Sequence, residues 1–180
     1  MAEPKSPLSV GIVLFDNVEE LDFVGPWEVF TMAAMAGAPL SAFTFGWPKA
    51  EIRCAKGLRV TADHDFATAP GADIILVPGG MGTRPLAADD AFLEALGARL
   101  AAAQWQVSVC TGAALLGRTG LLDGRKATTN RSAFAFFRDS APKAELVDDR
   151  RYVRDGSVLT SAGVSAGIDM ALWLTGHLFG

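Results

Sequence analysis

Cys110 is the residue best placed for covalent chemistry. It lies in Val107-Ser-Val-Cys-Thr-Gly-Ala-Ala-Leu-Leu116, which passes from a strand pattern to a helix pattern with almost no loop. A side chain at such a turn is held tightly and presented outward, the geometry of a nucleophile elbow with Cys in place of Ser. The N-terminus of the following helix faces the sulfur, and its partial positive charge is expected to favour the thiolate, the nucleophilic form. The alternative is a buried cysteine acting as a small hydrophobe. Thr-Gly directly after Cys110, instead of further apolar residues, favours chemistry.

Asp22 is the second candidate, within Glu19-Glu-Leu-Asp-Phe-Val-Gly-Pro26. A helix cap explains it as well as catalysis does. Enclosed by Leu21, Phe23 and Val24, its carboxyl could equally have a raised pKa and act as acid or base. Gly79-Gly80 offers backbone N–H groups free of side chains, able to cradle an anionic intermediate or merely to form a tight turn. Other patterns fail. Gly112 to Thr119 has Walker A spacing, but Arg118 replaces the lysine and the interior is helix-forming. Gly80-Met-Gly-Thr-Arg-Pro85 lacks the third glycine of a dinucleotide fingerprint. His64 and His177 are far apart and belong to no metal-spaced cluster, so no metal is expected. Cys54, near Lys56, reads as a structural thiol.

The elements that must position these residues alternate in type. Residues 10–15 are a continuous apolar run, as in a strand buried on both faces, 73–77 is another buried strand, and 106–110 is a further core strand. Gly25-Pro26 predicts a helix opening there and running to about residue 36. Residues 42–47 read as a strand, 51–60 as a hairpin, and 126–129 as a short strand. Residues 89–103 form a helix with an apolar stripe of Phe92, Leu93, Leu96 and Leu100. Residues 133–137 are helical, 152–159 form a hairpin turning at Asp155-Gly156, and 165–179 form a last amphipathic helix. Such alternation predicts an α/β fold, a mostly parallel sheet covered by helices on both faces. Ligands of such sheets gather beyond the carboxyl ends of the strands, where Asp22, Gly79-Gly80 and Cys110 all fall.

The 180 residues suit one domain, over residues 8–180, with residues 1–7 as a flexible N-terminus and no signal peptide. A net charge of −4 without a basic run excludes electrostatic attraction to nucleic acid or an anionic membrane. The apolar runs are too short to span a membrane. Two cysteines are better read as free thiols in a reducing, cytoplasmic setting.

Five segments together resemble the ThiJ/PfpI superfamily in order and spacing. They are Leu21-Asp22-x-x-Gly25-Pro26, Ala72 to Gly80, Val109-Cys110-Thr111-Gly112-Ala113, Gly120 to Thr129 and Thr160 to Asp169. The resemblance covers about residues 10–178 and is nearest to the isocyanide (isonitrile) hydratase branch. Related domains form the sensor half of some AraC-type regulators. It implies a flavodoxin-like three-layer sandwich, a homodimer, and a small-molecule substrate handled without metal or organic cofactor. Carried over, Cys110 attacks the isocyanide carbon, Asp22 moves protons, Thr111 supports them, and water releases an N-formamide. The Gly79 and Gly80 amides would neighbour the sulfur.

Two positions depart from relatives. Protease-like members carry His directly after the cysteine, where this chain has Thr111, so their Cys-His-acid triad is absent. Hydratases and regulators often read Ala-Thr-Thr-His, where this chain reads Ala127-Thr-Thr-Asn130, making Asn130 the pocket-lining residue. Glyoxalase or deglycase chemistry on oxoaldehydes, and a ligand- or redox-sensing role, are the alternatives. The regulator form needs a helix-turn-helix segment after the domain, and the sequence ends at Gly180, so DNA binding is not expected.

Overall fold

A computed structural model describes residues 7–180; the flexible end expected over residues 1–7 lies, Pro7 apart, outside the described residues. The chain runs β1 (Leu8–Phe15), α1 (Glu20–Met35) and β2 (Leu40–Trp47), then the antiparallel hairpin β3 (Glu51–Arg53) and β4 (Arg59–Thr61). Next come β5 (His64–Asp65), β6 (Ile74–Val77), α2 (Thr83–Leu86), α3 (Asp90–Ala102), β7 (Trp105–Val109) and α4 (Gly112–Arg118). β8 (Lys126–Ala127) precedes a 3-10 turn (Arg131–Ala133), α5 (Phe134–Ser140) and β9 (Glu145–Leu146). The hairpin β10 (Tyr152–Asp155) and β11 (Val158–Ser161) leads into α6 (Ala166–Phe179).

Seven strands form the main sheet in the order β10-β11-β7-β6-β1-β2-β5. All neighbours are parallel except β10 with β11. The expected α/β architecture, a mostly parallel sheet flanked by helices in the flavodoxin-like manner, is therefore the one observed. Every residue of β6, and Val10 to Phe15 of β1, is buried. Successive side chains of a strand point to opposite faces, so both faces of the sheet centre are covered. α1 packs against α6, and α3 against α4. Along α3, Phe92, Leu96 and Leu100 are buried at helical spacing and Asp89 caps the start by accepting from the Phe92 N–H.

Three local expectations are corrected. α1 begins at Glu20, not at Gly25-Pro26, and carries Pro26 in its interior. The acidic Glu20 and Asp22 occupy its first turn, where the helix dipole favours negative charge. Gly25 sits against α6, since a Cβ there would stand 2.7 Å from Ile168 Cγ1. The strand expected over residues 126–129 shortens to β8 and joins β9 outside the main sheet. The β10–β11 register pairs Asp155 with Val158, so Gly156-Ser157 makes the turn instead of Asp155-Gly156.

From β1 the chain moves to β2 on one side and later to β6 on the other, making the ends of β1 and β6 the topological switch point. A bridge between Val18 and Gly80 links the loops after those strands. α4 enters this junction closely: a Cβ on Gly112 would lie 2.1 Å from the Val77 carbonyl oxygen, a backbone atom that cannot swing aside. Gly112→Ala is expected to force α4 off the end of β6 and cost about 1–3 kcal/mol of stability. Urea unfolding would measure it, and an unchanged midpoint would contradict this packing.

Candidate active site

At the switch point the ends of β1, β6, β7 and β11 bring together Asp22, Gly79, Cys110 and Val164. Cys110 follows the last residue of β7 with φ 56°, a left-handed conformation that non-glycine residues rarely adopt. Three bonds hold it there. Its N–H donates to Ser161 O at 3.0 Å, its carbonyl accepts from Thr129 Oγ1 at 2.8 Å and from the Ala113 N–H at 3.3 Å. The elbow read from the sequence is thus present, with the side chain 7% exposed.

Asp22 is 0% exposed, and no cation bonds its carboxylate among the described residues. Oδ2 accepts from the Gly79 N–H at 3.1 Å and Oδ1 from the Val164 N–H at 3.0 Å. Burial pushes this carboxyl from 3.8 up to about 6, against the lowering effect of the Val164 and Gly79 amides. A Cβ on Gly79 would lie 2.7 Å from Cys110 Cβ and 2.8 Å from Asp22 Oδ2, so only glycine lets acid and cysteine approach. The two side chains are thus neighbours across the Gly79 backbone.

The α4 N-terminus was expected to favour the thiolate, and burial acts against it. Burial pushes the Cys110 thiol from 9.0 up to about 12, and the Asp22 charge adds to the rise. The Thr111 N–H and the Asn130 side chain act in the opposite direction and do not overcome it. Desolvation outweighs one short helix end.

The remaining expected residues divide by role. Asn130 reaches the cleft: its Oδ1 accepts from Ser132 N–H at 3.0 Å and from Ser132 Oγ at 2.8 Å, which turns the amide donor toward the sulfur. The Gly79 and Gly80 amides are not free to bind an anion, correcting that expectation. Gly79 N–H is spent on Asp22, and Gly80 N–H donates to Thr111 Oγ1 at 2.9 Å. Thr111 is therefore a positioning residue, its hydroxyl accepting from the Gly80 N–H and from Thr83 Oγ1 at 3.0 Å and donating to Gly80 O at 3.2 Å. The unspent backbone donor beside the sulfur is the Thr111 N–H.

Sequence reasoning missed Val164, whose φ of 47° is strained for a β-branched side chain and aims its N–H at Asp22. Adjacent Gly163 was the available signal. It missed Ser132 as well, which no spacing rule singles out.

A cleft of about 210 Å³ opens over Cys110, lined also by Glu19, Met81, Arg84, Asn130 and Val164. A larger apolar hollow of about 460 Å³ lies beside α3, away from these groups. Its one cation, Arg99, is occupied by the carbonyls of Phe66, Ala69 and Pro70, so the chemistry belongs to the smaller cleft. No helix among the described residues is long and apolar enough to cross a membrane.

Comparison with known proteins gives the family. The chain belongs to the DJ-1/PfpI family, whose family model matches residues 8–175. It is 35% identical over 175 residues to an isonitrile hydratase of Pseudomonas putida, covering 96% of this chain and 73% of that protein. It is 30% identical to the HTH-type transcriptional regulator GbdR of Pseudomonas aeruginosa over 98% of this chain but only 48% of the regulator. The crystal structure of a ThiJ/PfpI family protein from Pseudomonas syringae superposes with a TM-score of 0.84 at 28% identity, over 97% of this chain and 72% of that one.

Because Asp22 holds its proton more tightly in the folded chain, its share of stability is whole below about pH 4 and is lost as pH rises through about 6. Relative to wild type, Asp22→Asn should gain about 2–3 kcal/mol between about pH 4 and pH 8. Denaturant unfolding of both proteins across that range tests this, and parallel stability curves would show that the carboxyl is not perturbed.

Proposed function

We propose that this chain is a cysteine-dependent hydratase that adds water to an isocyanide and releases an N-formamide. The observation that carries the reading is the buried Asp22 carboxyl paired with the Cys110 thiol at the elbow. The 35% identical isonitrile hydratase supports it.

With Asp22 ionised above about pH 6 and Cys110 a thiol, the proton moves from sulfur to carboxylate as the sulfur attacks the terminal isocyanide carbon. Asp22 returns that proton to the carbon, giving a thioimidate R–N=CH–S–Cys110. Water then adds at the same carbon, one of its protons passing through Asp22 to nitrogen. The C–S bond breaks, sulfur recovers the last proton and R–NH–CHO leaves. One water is consumed, no electrons are exchanged, and no cofactor is required for balance. Asn130 and the Thr111 N–H supply the donors beside the sulfur that stabilise charge as it develops.

The reading extends to a cytoplasmic homodimer. Both cysteines are unpaired, as suits a reducing compartment. Leu21, Val24 and Leu172 are exposed apolar residues on the packed pair α1 and α6, a surface suited to self-association. A monomer mass by light scattering at micromolar concentration would remove the dimer from the reading.

A simple alkyl isocyanide offered to the purified protein should yield its formamide. Cys110→Ser and Asp22→Asn should each lower kcat/KM by on the order of 100-fold or more. In the wild type, kcat/KM should rise with pH through about 6, as Asp22 loses its proton and becomes able to accept that of Cys110. Absence of turnover, or equal turnover in Cys110→Ser, would defeat the proposal and favour the ligand-sensing role suggested by the regulator relatives.

A further inference from the structure

Two charged side chains line the cleft over Cys110, and they differ in what they are bonded to. Glu19 is neutralised by an ion pair with Lys56. Arg84, in α2, has no ion-pair partner among the described residues. Its guanidinium lies 5.0 Å over the Phe136 ring, and Nη1 donates at 3.3 Å to Met81 Sδ, a weak acceptor. Asp139 borders the next groove with Arg84, but no pair joins them among the described residues. The cation is thus braced against an aromatic face while the rest of its donor fork has no acceptor in the protein. That fork matches a carboxylate in shape and charge.

The cleft is small, about 210 Å³, and Arg84 and Cys110 line it together. A molecule whose electrophilic carbon meets the sulfur must place its other groups against the remaining walls. A carboxylate finds one unpaired cation there. Asp22, the other charge near the sulfur, is buried behind it with its two oxygens held by amides, and offers no attraction to an anion.

We propose that Arg84 is a specificity-determining residue, and that the natural substrates of the Cys110 cleft are small electrophiles bearing a carboxylate. On the hydratase reading, from which this inference takes only its reaction, these are short isocyano carboxylates. Their products are the corresponding N-formyl carboxylates.

Two pairs of reagents separate the anion preference from the reaction. In the first, Cys110 is alkylated by iodoacetate or by iodoacetamide, the sulfur displacing iodide in each case, and the rates are read by peptide mass spectrometry with buried Cys54 as internal reference. The ratio of iodoacetate to iodoacetamide rates should fall about tenfold in Arg84→Gln, the loss of one charge-assisted contact, and Arg84→Lys should restore part of it. In the second, isocyanoacetate and its methyl ester are compared, and the acid-to-ester ratio of kcat/KM should fall by a similar factor. An alkylation ratio that changes less than about twofold in Arg84→Gln overturns the proposal. A Cys110 that neither reagent reaches overturns it too, because the proposal requires a small carboxylate to arrive at the sulfur. A shifted alkylation ratio without isocyanide turnover sustains the anion preference and removes the hydratase reading alone.

Discussion

The buried carboxyl of Asp22 is the constraint on which the site is built. Moving an ionised carboxylate out of water without partners costs several kcal/mol. Here two backbone amides meet that need, and they come from chain segments 57 and 142 residues away. Each imposes a condition on its own segment. The loop after β6 must present a glycine N–H, because a Cβ on Gly79 would collide with both acid and cysteine. The turn after β11 must hold Val164 in a left-handed conformation. α1 must begin early enough to carry Asp22 in its first turn. Backbone strain of order 1–3 kcal/mol at each of Cys110 and Val164 is sustained because the surrounding hydrogen bonds leave those residues no other place.

The same burial governs the chemistry. It raises both groups, the acid to about 6 and the thiol to about 12, which favours keeping a proton on the sulfur. In the proposed reaction, nucleophilicity then depends on a proton crossing between adjacent groups when an electrophile arrives. A standing thiolate would be open to oxidation; a protected thiol is not, until it is deprotonated. Asn130 fits this arrangement. Ser132 fixes its amide orientation, and it brings a donor to the sulfur without a second titrating group.

Much of the fold was legible because strand burial and helix periodicity are local signals. The apolar run of β1 and the Phe92, Leu96, Leu100 stripe of α3 each announce their element. The start of α1 was not legible. Pro26 reads as a first-turn residue, and only packing of Gly25 on Ile168 in a distant helix shows why the helix continues through it. Cys110 and Asp22 were readable as candidates from residue type and turn context. The duties of Gly79 and Gly80 were not, since the direction of an N–H depends on its partner, and Thr111 and Asp22 reach theirs only in three dimensions. The opposing effects on Cys110 were unequally legible for a related reason: a helix end is visible in sequence, whereas the desolvation that acts against it comes from tertiary packing.

The bond from Val164 to Asp22 joins a residue near the front of the described chain to one beyond β11. During vectorial synthesis, β1, β6 and β7 leave the ribosome with the acid and the cysteine already among them. Asp22 nevertheless lacks its second amide until Val164 emerges, about 3–11 seconds of chain growth after Cys110 at roughly 5–20 residues per second. The nascent protein therefore carries its nucleophile while the carboxyl beside it is still incompletely solvated by peptide groups. Completion of the acid's hydrogen bonding is coupled to emergence of the turn after β11, and a ribosome stalled before that turn holds an unfinished site.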